Sequence, residues 1–376
     1  MNPTHIGVLG GGQLGKMLLQ AAANLNLDIH LLDPDPQAPC RALTPQFEVG
    51  SLTDEETVYA FGSRMDLITI EIENVNVRAL ERLEAEGKKV YPEPRVLRLI
   101  QDKRLQKQFY AEHNLPTAPF ALIDHPSQLI KYTSWLPAYL KLGREGYDGK
   151  GVMRLSSPTD YARAFEAPSL IEQAAPVAKE LAVIVARNAQ GQTACYPAVE
   201  MVFDPQYNLV DYLLAPAQID EATAAAAQAL AVTVIEKLAM TGLLAVEMFL
   251  TLDGELWVNE VAPRTHNSGH SSIEGNVTSQ FEQHLRAILN LPLGSTKTRS
   301  LAAMVNLIGA EGYQGTAYYQ GLEEVLALEE VYLHLYGKTI TKPGRKMGHI
   351  TLTADSVEAL QQKIAFIKKT LRVISQ

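Results

Sequence analysis

Cysteine is nearly missing: Cys40 and Cys195 are the only two in 376 residues. Two isolated thiols make neither a disulfide framework nor a metal pattern, which fits a reducing compartment. Long hydrophobic runs are missing too. No stretch approaches the roughly 20 apolar residues that span a bilayer, so no membrane partner is expected. The opening, MNPTHIGVLGGG, has no basic segment ahead of an apolar one, so no secretory signal is read and a cytoplasmic location is expected. Positive charge is in deficit, with 33 Lys and Arg against 42 Asp and Glu and a formal net charge of −9. A nucleic-acid partner needs the opposite sign. Any phosphate must be gripped by local cations against an unfavourable overall field. Repeats, low-complexity tails and coiled-coil heptads are absent as well.

What is present is globular: 47% hydrophobic and 20% charged residues are ordinary, and the length exceeds what one core serves, so two or three domains are expected. The stretch GVLGGGQLGKM follows a strand with Gly10-x-Gly12-x-x-Gly15 and then a helix. This is the spelling of a dinucleotide-binding turn, and Asp33 ends the next apolar run near where a ribose-binding acid would stand. A nicotinamide-dependent oxidoreductase is one reading of it. A helix N-terminus that holds some other phosphate is another.

Up to about Pro94 the runs HIGVLG, DIHLLD, LITIEIE and KKVYP alternate with helices, one opened by a capping box at Thr53 and Glu56. Strands alternating with helices predict a doubly wound, parallel α/β unit. Arg95 to Glu112 reads as one connecting helix. Beyond Leu115 come the strands AYLKL, GVMRL, SLIEQ, ELAVIVARN and ACYPAVEMVF, then one long alanine-rich helix from Asp220 to Met240, ended by Gly242. Short strands and a last helix after Asp355 complete the chain. The expected domains are 1–95, 96–290 and 291–376.

KLGREGYDGKGVMRL carries glycines at 143, 146, 149 and 151 between two strands. It lacks the Gly-Lys-Ser/Thr of a P-loop. A glycine-rich loop between strands can close its amides on a triphosphate, or it is a surface hairpin. Lys141, inside the apolar strand before it, is an edge residue or a phosphate ligand.

In LLAVEMFLTLDGELWVNEVAPRTHNSGH, Asp253-Gly254 between apolar runs signals a two-residue hairpin turn. That turn pairs Leu252 with Glu255, Phe249 with Val258 and, five steps out, Glu247 with Glu260, with Cβ atoms about 4.5–5.5 Å apart. Facing acids repel. Either the register slips, one acid is protonated, a lysine arrives from elsewhere, or a divalent cation bridges them. Carboxylates completed by waters and phosphates are how Mg²⁺ is held at nucleotide sites, and Asn259 would add an oxygen.

GREGYDGKG, IEQAA, KELAVIVARN and AVEMF…WVNEVAPR resemble the ATP-grasp superfamily. With GGGQLGKM, NEVAPRTHNSGH and HLYGKTITKPGRKMGH, the chain more narrowly resembles the N5-carboxyaminoimidazole ribonucleotide synthetases, nearly end to end. The resemblance implies a mixed α/β and α+β architecture: a Rossmann-like pre-ATP-grasp domain, a central ATP-grasp domain, and a small β-rich C-terminal domain completing the substrate site. It implies a C–N ligase of purine synthesis using ATP, Mg²⁺ (with Mn²⁺ as substitute), bicarbonate and aminoimidazole ribonucleotide, and a homodimer.

By the same resemblance Lys103 and Lys141 contact ATP phosphates, and Gly146, Tyr147, Asp148, Gly149, Lys150, Gly151 and Val152 form the flap. Glu172, Gln173, Ala174 and Ala175 frame the adenine, Glu180 the ribose, and Asn259 and Glu260 the phosphates. Glu247 and Glu260 hold the metal. Arg264, His266 and Asn267, with Tyr147 and Lys150, serve the reaction. Gly12, Gln13, Leu14, Glu73, Lys338, Arg345 and Lys346 receive the ribonucleotide. One departure is visible: many members have Asn-x-His where this chain has Met201 and Phe203, which removes a polar nucleotide contact. Other ATP-grasp ligases, among them glycinamide ribonucleotide transformylase and biotin carboxylase, are neighbouring alternatives, and a catalytically silent nucleotide-binding regulator is a further one.

Overall fold

The computed structural model describes residues 4–144, 151–204, 206–207 and 209–376. The first segment runs β1 (His5–Leu9), α1 (Gln13–Asn24), β2 (Asp28–Asp33), β3 (Phe47–Val49), α2 (Glu55–Gly62), β4 (Leu67–Ile70), α3 (Val77–Ala85) and β5 (Lys89–Val90). Its strands pair in parallel in the order β3-β2-β1-β4-β5. Helices cover both faces of such a sheet, so its inner strands read as unbroken apolar runs; Ile6, Val8, Leu9, Leu67 and Ile68 are all buried. The expected doubly wound unit is therefore present, with its ligand-binding edge at the carboxyl ends of the strands.

Two local readings need correction. The cap of α2 is Asp54, not Thr53: its carboxylate accepts from the Thr57 N–H at 2.8 Å and the Thr57 hydroxyl at 2.6 Å. The single connecting helix is two, α4 (Pro94–Ile100) and α5 (Lys103–Glu112). Asp102 breaks it by taking extended backbone and accepting from the Arg104 N–H at 3.0 Å. This restart leaves Lys103 and Lys107, four residues apart, on one face of α5.

Next come β6 (Phe120–Ile123), β7 (Ala138–Leu142), β8 (Val152–Leu155) and β9 (Ser169–Gln173), an antiparallel sheet ordered β6-β9-β7-β8. Then follow β10 (Val177–Arg187), β11 (Thr193–Cys195), β12 (Val199–Asp204), β13 (Leu209–Ala215), α6 (Glu221–Leu238), β14 (Gly242–Thr251), β15 (Leu256–Ala262), α7 (Ser272–Gly275) and α8 (Gln280–Ile288). Helix α6 ends before the expected Gly242: Ala239 takes the left-handed conformation at φ 46°, and Gly242 opens β14 instead. Its Ala231, Val234 and Ile235 pack on Leu181, Val183 and Val246.

The last segment holds β16 (Leu301–Ile308), β17 (Gly315–Gln320), α9 (Leu322–Leu326), β18 (Val331–Leu335), β19 (Ile340–Thr341), β20 (Lys346–Ala354), α10 (Val357–Thr370) and β21 (Arg372–Ser375). Most of its strands do not make a sheet of their own. β16 pairs with β13 from Tyr212↔Val305 to Ala215↔Ala302. One sheet then runs β15-β14-β10-β12-β13-β16-β20-β18, with β11 beside β10. The expected third domain is thus continuous in backbone hydrogen bonding with the second, and only β17, β19 and β21 form a separate small sheet. Among the described residues, no helix is long and apolar enough to cross a membrane.

Candidate functional site

The acid pair sits where the sequence places it, by a different route. The turn has three residues: Thr251 N–H donates to the Glu255 carbonyl at 2.9 Å, and Gly254 N–H donates to the Thr251 carbonyl at 3.0 Å. Gly254 supplies the left-handed conformation this loop needs, at φ 83°. The inner pairs are accordingly Leu250–Leu256, Phe249–Trp257 and Met248–Val258, not Leu252–Glu255 and Phe249–Val258. A bulge at Asn259 absorbs the extra residue, and Glu247 lies opposite Glu260. Bulges re-aim side chains. Here consecutive residues both find cleft lysines: Asn259 accepts from Lys141 Nζ at 3.2 Å, and Glu260 meets Lys103 Nζ at 2.5 Å.

The lysine from elsewhere is therefore real, but it pairs directly with Glu260 and reaches Glu247 only through space. Lys103 holds the Glu260 carboxyl down to about 2. Burial, and then Glu260 itself, push Glu247 up to about 8. Burial also acts against the charge on Lys103, yet its acidic neighbours, Glu260 first, outweigh that and raise it. Without a further cation the pair lowers its repulsion by keeping a proton on Glu247. Glu260 lies deep in the cleft, yet 43% of its side-chain surface remains open.

Glu172, the first residue of the expected adenine hinge, is almost wholly buried and spends its carboxylate on two lysines. Lys141 lies 2.7 Å from Oε2 and Lys107 3.1 Å from Oε1. Burial raises this acid, and Lys141 and Lys107 more than reverse it. Lys107, pushed down to about 8 by burial, also donates to Thr117, whose hydroxyl donates to the Val258 carbonyl at 2.7 Å. In the backbone that follows, the Gln173 and Ala174 N–H groups bond the Pro119 and Pro137 carbonyls at 3.0 and 3.3 Å. The Ala175 carbonyl accepts from Val177 N–H at 3.0 Å. Glu180 stands opposite Met201 on one side and Phe249 on the other, and burial raises it to about 6. Met201 and Phe203 belong to an apolar cluster with Ala182, Val199 and Leu213.

After β15, His266 points its Nε2 to within 3.6 Å of Glu247 Oε1. Burial, aided by Arg264, lowers the imidazole to about 3, so His266 is neutral at neutral pH and can orient a partner rather than deliver a proton. Asn267 and Asn306 exchange side-chain amide bonds at 3.1 and 3.0 Å. Gln280 clasps the turn, accepting from His266 N–H at 2.9 Å and donating to the His266 carbonyl at 2.7 Å. A Cβ on Gly269 would lie 2.4 Å from Gln280, so that approach requires glycine.

Arg264 Nε lies 2.9 Å from Glu73 Oε2, tying the hairpin to the first domain. Gln13 Oε1 accepts from Lys338 Nζ at 3.0 Å, and Lys338 also donates to the Lys346 carbonyl at 2.9 Å. The charge of Lys346 is felt at both Glu247 and His266. Arg345 is half-buried nearby in sequence, with Nη1 donating to the Ile340 carbonyl at 2.7 Å. Segments 325 residues apart along the chain thus meet, next to a loop whose Lys346 charge reaches Glu247.

The glycine turn itself already holds a carboxyl group, the protein's own. Leu14 N–H donates to Glu71 Oε1 at 3.0 Å, and the Gly12 and Gly15 N–H groups also bond that carboxyl group; its desolvation raises the acid, and these amides with Arg264 offset only part of that. A Cβ on Gly12 would lie 2.6 Å from the carboxyl group. Asp33 accepts from Gly11 N–H at 2.6 Å and from Asp35 N–H at 2.8 Å. An incoming phosphate therefore does not meet a free nest of amides at Gly12, Gln13 and Leu14; the Gln13 side chain is what faces the C-terminal loop. The flap positions Gly146, Tyr147, Asp148, Gly149 and Lys150 lie outside the described residues. Gly151, at φ 72°, accepts from Leu142 N–H at 2.8 Å, and Val152 opens β8 opposite Lys141.

Sequence reasoning missed Lys107, Glu71, Gln280 and Asn306. Lys107 carried a signal, since it stands one helical turn from Lys103. The others carried none, because their partners lie across the fold.

Three family models match in order: a ribonucleotide synthetase preATP-grasp domain over residues 3–101, an ATP-grasp domain over 108–281 and a phosphoribosylaminoimidazole carboxylase C-terminal domain over 302–363. A curated N5-carboxyaminoimidazole ribonucleotide synthase from Synechococcus elongatus is 40% identical over 95% of this chain and 92% of its own. The crystal structure of N5-carboxyaminoimidazole ribonucleotide synthetase from Thermotoga maritima superimposes with a TM-score of 0.92 at 40% identity, covering 99% of this chain and 100% of that one. An Aspergillus clavatus N5-carboxyaminoimidazole synthase in complex with ADP and 5-aminoimidazole ribonucleotide gives 0.89 at 34% identity over 98% of both chains.

Proposed function

The chain belongs to the N5-carboxyaminoimidazole ribonucleotide synthase family, and from that premise we infer that it carboxylates 5-aminoimidazole ribonucleotide with bicarbonate at the expense of ATP. The observation that carries this reading is the Glu247–Glu260 pair, opposed in one cleft with Lys103 and Lys141 beside it and the Arg264–Glu73 contact at its end. Two opposed acids, one of them driven to keep its proton, fit a divalent cation. Glu247 and Glu260, with Asn259, would hold Mg²⁺ or Mn²⁺, which supplies charge neutralisation at ATP phosphates.

Lys103 and Lys141 then face the phosphates as fixed cations. Both already sit on short contacts to acids, so they bind at little orientational cost. A bicarbonate oxygen attacks the γ-phosphorus while its bond to the β,γ-bridging oxygen breaks and ADP leaves, giving carboxyphosphate, a step that asks mainly for positioning and charge compensation. Glu180 would take the ribose hydroxyls. Neutral His266, with Asn267, orients the bicarbonate. The exocyclic amine then attacks the carboxyphosphate carbon, and the C–O bond to the phosphorus-bearing oxygen breaks. Phosphate leaves and takes up the amine proton, and Arg264 stabilises the carboxylate throughout. Carboxyphosphate hydrolyses, so water must be excluded; residues 146–152, with Tyr147 and Lys150, are the segment assigned to cover it. Gln13, Glu73, Lys338, Arg345 and Lys346 would receive the ribonucleotide. A cytoplasmic homodimer completes the proposal.

The test is ADP release with ATP, Mg²⁺ and bicarbonate. Release that rises on adding aminoimidazole ribonucleotide is expected. Release indifferent to that amine would overturn the reading.

A further inference from the structure

At the end of the first sheet away from the glycine turn, three metal-capable side chains converge. His5 opens β1 and Asp28 opens β2, and the parallel register sets them side by side. His30 follows Asp28 by two residues and so shares its face of the strand. One carboxylate oxygen, Asp28 Oδ2, meets both rings: His5 Nδ1 at 2.8 Å and His30 Nε2 at 3.2 Å. The rings stand edge to face, 5.5 Å between centroids. Among the described residues this is the one group of three or more His, Cys, Asp or Glu whose ligand atoms all lie within 4.8 Å of one another.

We propose that His5, Asp28 and His30 bind one divalent first-row transition ion of the Zn²⁺ class, at a site separate from the Mg²⁺–ATP cleft. A tetrahedral ion with bonds of about 2.0–2.2 Å spaces its ligand atoms roughly 3.4 Å apart. The two edges at Asp28, 2.8 and 3.2 Å, are somewhat shorter than that, so an ion enters by replacing the shared hydrogen bonds as the side chains move slightly apart. Two imidazoles and a carboxylate are a donor set that suits Zn²⁺, Ni²⁺ or Cu²⁺, whereas Mg²⁺ prefers all-oxygen sites. Selection between the two sites therefore follows from donor chemistry. His5 and Asp28 expose 51% and 41% of their side chains, leaving an open side for a water as fourth ligand.

The ligands stand on strands rather than loops, and His5 is tied further by its N–H to Asp66 Oδ2 at 2.9 Å. A bound ion would staple the start of β1 to β2. Because the cleft lies beyond the carboxyl ends of these strands, occupancy acts on the stability of the first domain and not on the chemistry. The rival is a hydrogen-bonded His–Asp–His cluster that holds no ion.

Calorimetric titration of the full chain with ZnCl2 decides, run in millimolar MgCl2 so that the acid pair is occupied. One binding step should disappear, or weaken at least ~10–100-fold, in His30→Ala, in His30→Gln and in Asp28→Asn, since even the loss of an outer-shell partner costs a site that much. Zn²⁺ should raise the melting temperature of the wild type and of none of these variants. Amine-dependent ADP release without Zn²⁺ should be equal in all four proteins. The two His30 replacements guard against a folding defect in either. Equal Zn²⁺ stoichiometry and affinity in the wild type and in a folded His30 variant would overturn the proposal.

Discussion

Two parts of this protein bring a carboxylate to a place built for binding, and they do opposite things with it. In the hairpin, Glu247 and Glu260 face each other, and Lys103 pairs directly with only one of them. In the glycine turn, Glu71 lies on the amides of Gly12, Leu14 and Gly15, and Asp33 on that of Gly11. The first arrangement is incomplete as it stands and calls for a cation from outside. The second is complete, with the acceptors for its amides supplied by the fold. A motif that spells an anion site in sequence can therefore be structural, while a pair that looks like an electrostatic fault can be the functional feature.

The largest effect expected concerns the incomplete region. Glu260→Gln should cut amine-dependent turnover by at least ~100-fold, because a preorganised charge at the reacting phosphates is lost. Its metal-free stability should drop only modestly, by the ion pair that Glu260 makes with Lys103, with the fold intact. A sharp loss of metal-free stability would make the acids structural and break the contrast.

Next in size, Arg345→Ala should raise the KM for the ribonucleotide ~10–100-fold and leave that for ATP unchanged, because arginine meets a phosphate with two charge-assisted bonds. Initial rates with each substrate varied in turn decide. An equal rise for both would detach this residue from the ribonucleotide.

Proton linkage sharpens the comparison further. The folded-state value of Glu247, about 8, lies above its ordinary value of 4.5. Its contribution to metal-free stability is therefore fully present below about 4.5 and is lost as pH rises through about 8. Glu260 works the other way: its contribution is present above about 4.5 and is lost as pH falls toward about 2. Glu180 and the buried histidines, whose values lie at or below about 6.5 in both states, add their own slopes below that pH. Between about pH 6.5 and 8 the slope belongs to Glu247, so metal-free melting temperatures should fall across that window and flatten in Glu247→Gln. Mg²⁺ must displace that proton, so its affinity should climb up to ~10-fold per pH unit toward pH 8. A pH-independent Mg²⁺ affinity would remove the proton from the pair.

In the complete region, Glu71→Ala should cost about 1–3 kcal/mol by orphaning buried N–H groups, read from denaturant midpoints. No change in midpoint would mean that the turn does not need its internal carboxyl group. Smallest of all, NADH at micromolar concentration should give no saturable binding signal, because the Asp33 carboxylate is already spent on Gly11 and Asp35. Tight binding would return the turn to the dinucleotide reading.

How far the chain was legible shows best at the hairpin. The two-residue turn was wrong by one residue, and the bulge at Asn259 was not foreseen; the two deviations cancel, and Glu247 still meets Glu260. Turn length depends on which residue takes the left-handed conformation, and a DG pair permits more than one loop. The parallel first sheet and the long α6 were legible because hydrophobic period and caps act over neighbouring residues. Helix ends were read one to three residues out, as at Asp54 and Ala239, where short-range capping chemistry competes among adjacent candidates.

By itself the sequence determined the alternation of elements, the opposition of two acids across one hairpin, and the cations and glycines arrayed around them, since each follows from spacing along a single strand, helix or loop. Only the tertiary structure decided which charges those acids see, that Lys107 and Lys141 share Glu172, that Glu71 fills the glycine turn, and that Lys338 reaches Gln13. The physical reason is distance. Electrostatic and hydrogen-bonding partners are chosen through space within a few ångströms, and here those few ångströms separate residues that stand tens to hundreds of positions apart along the chain.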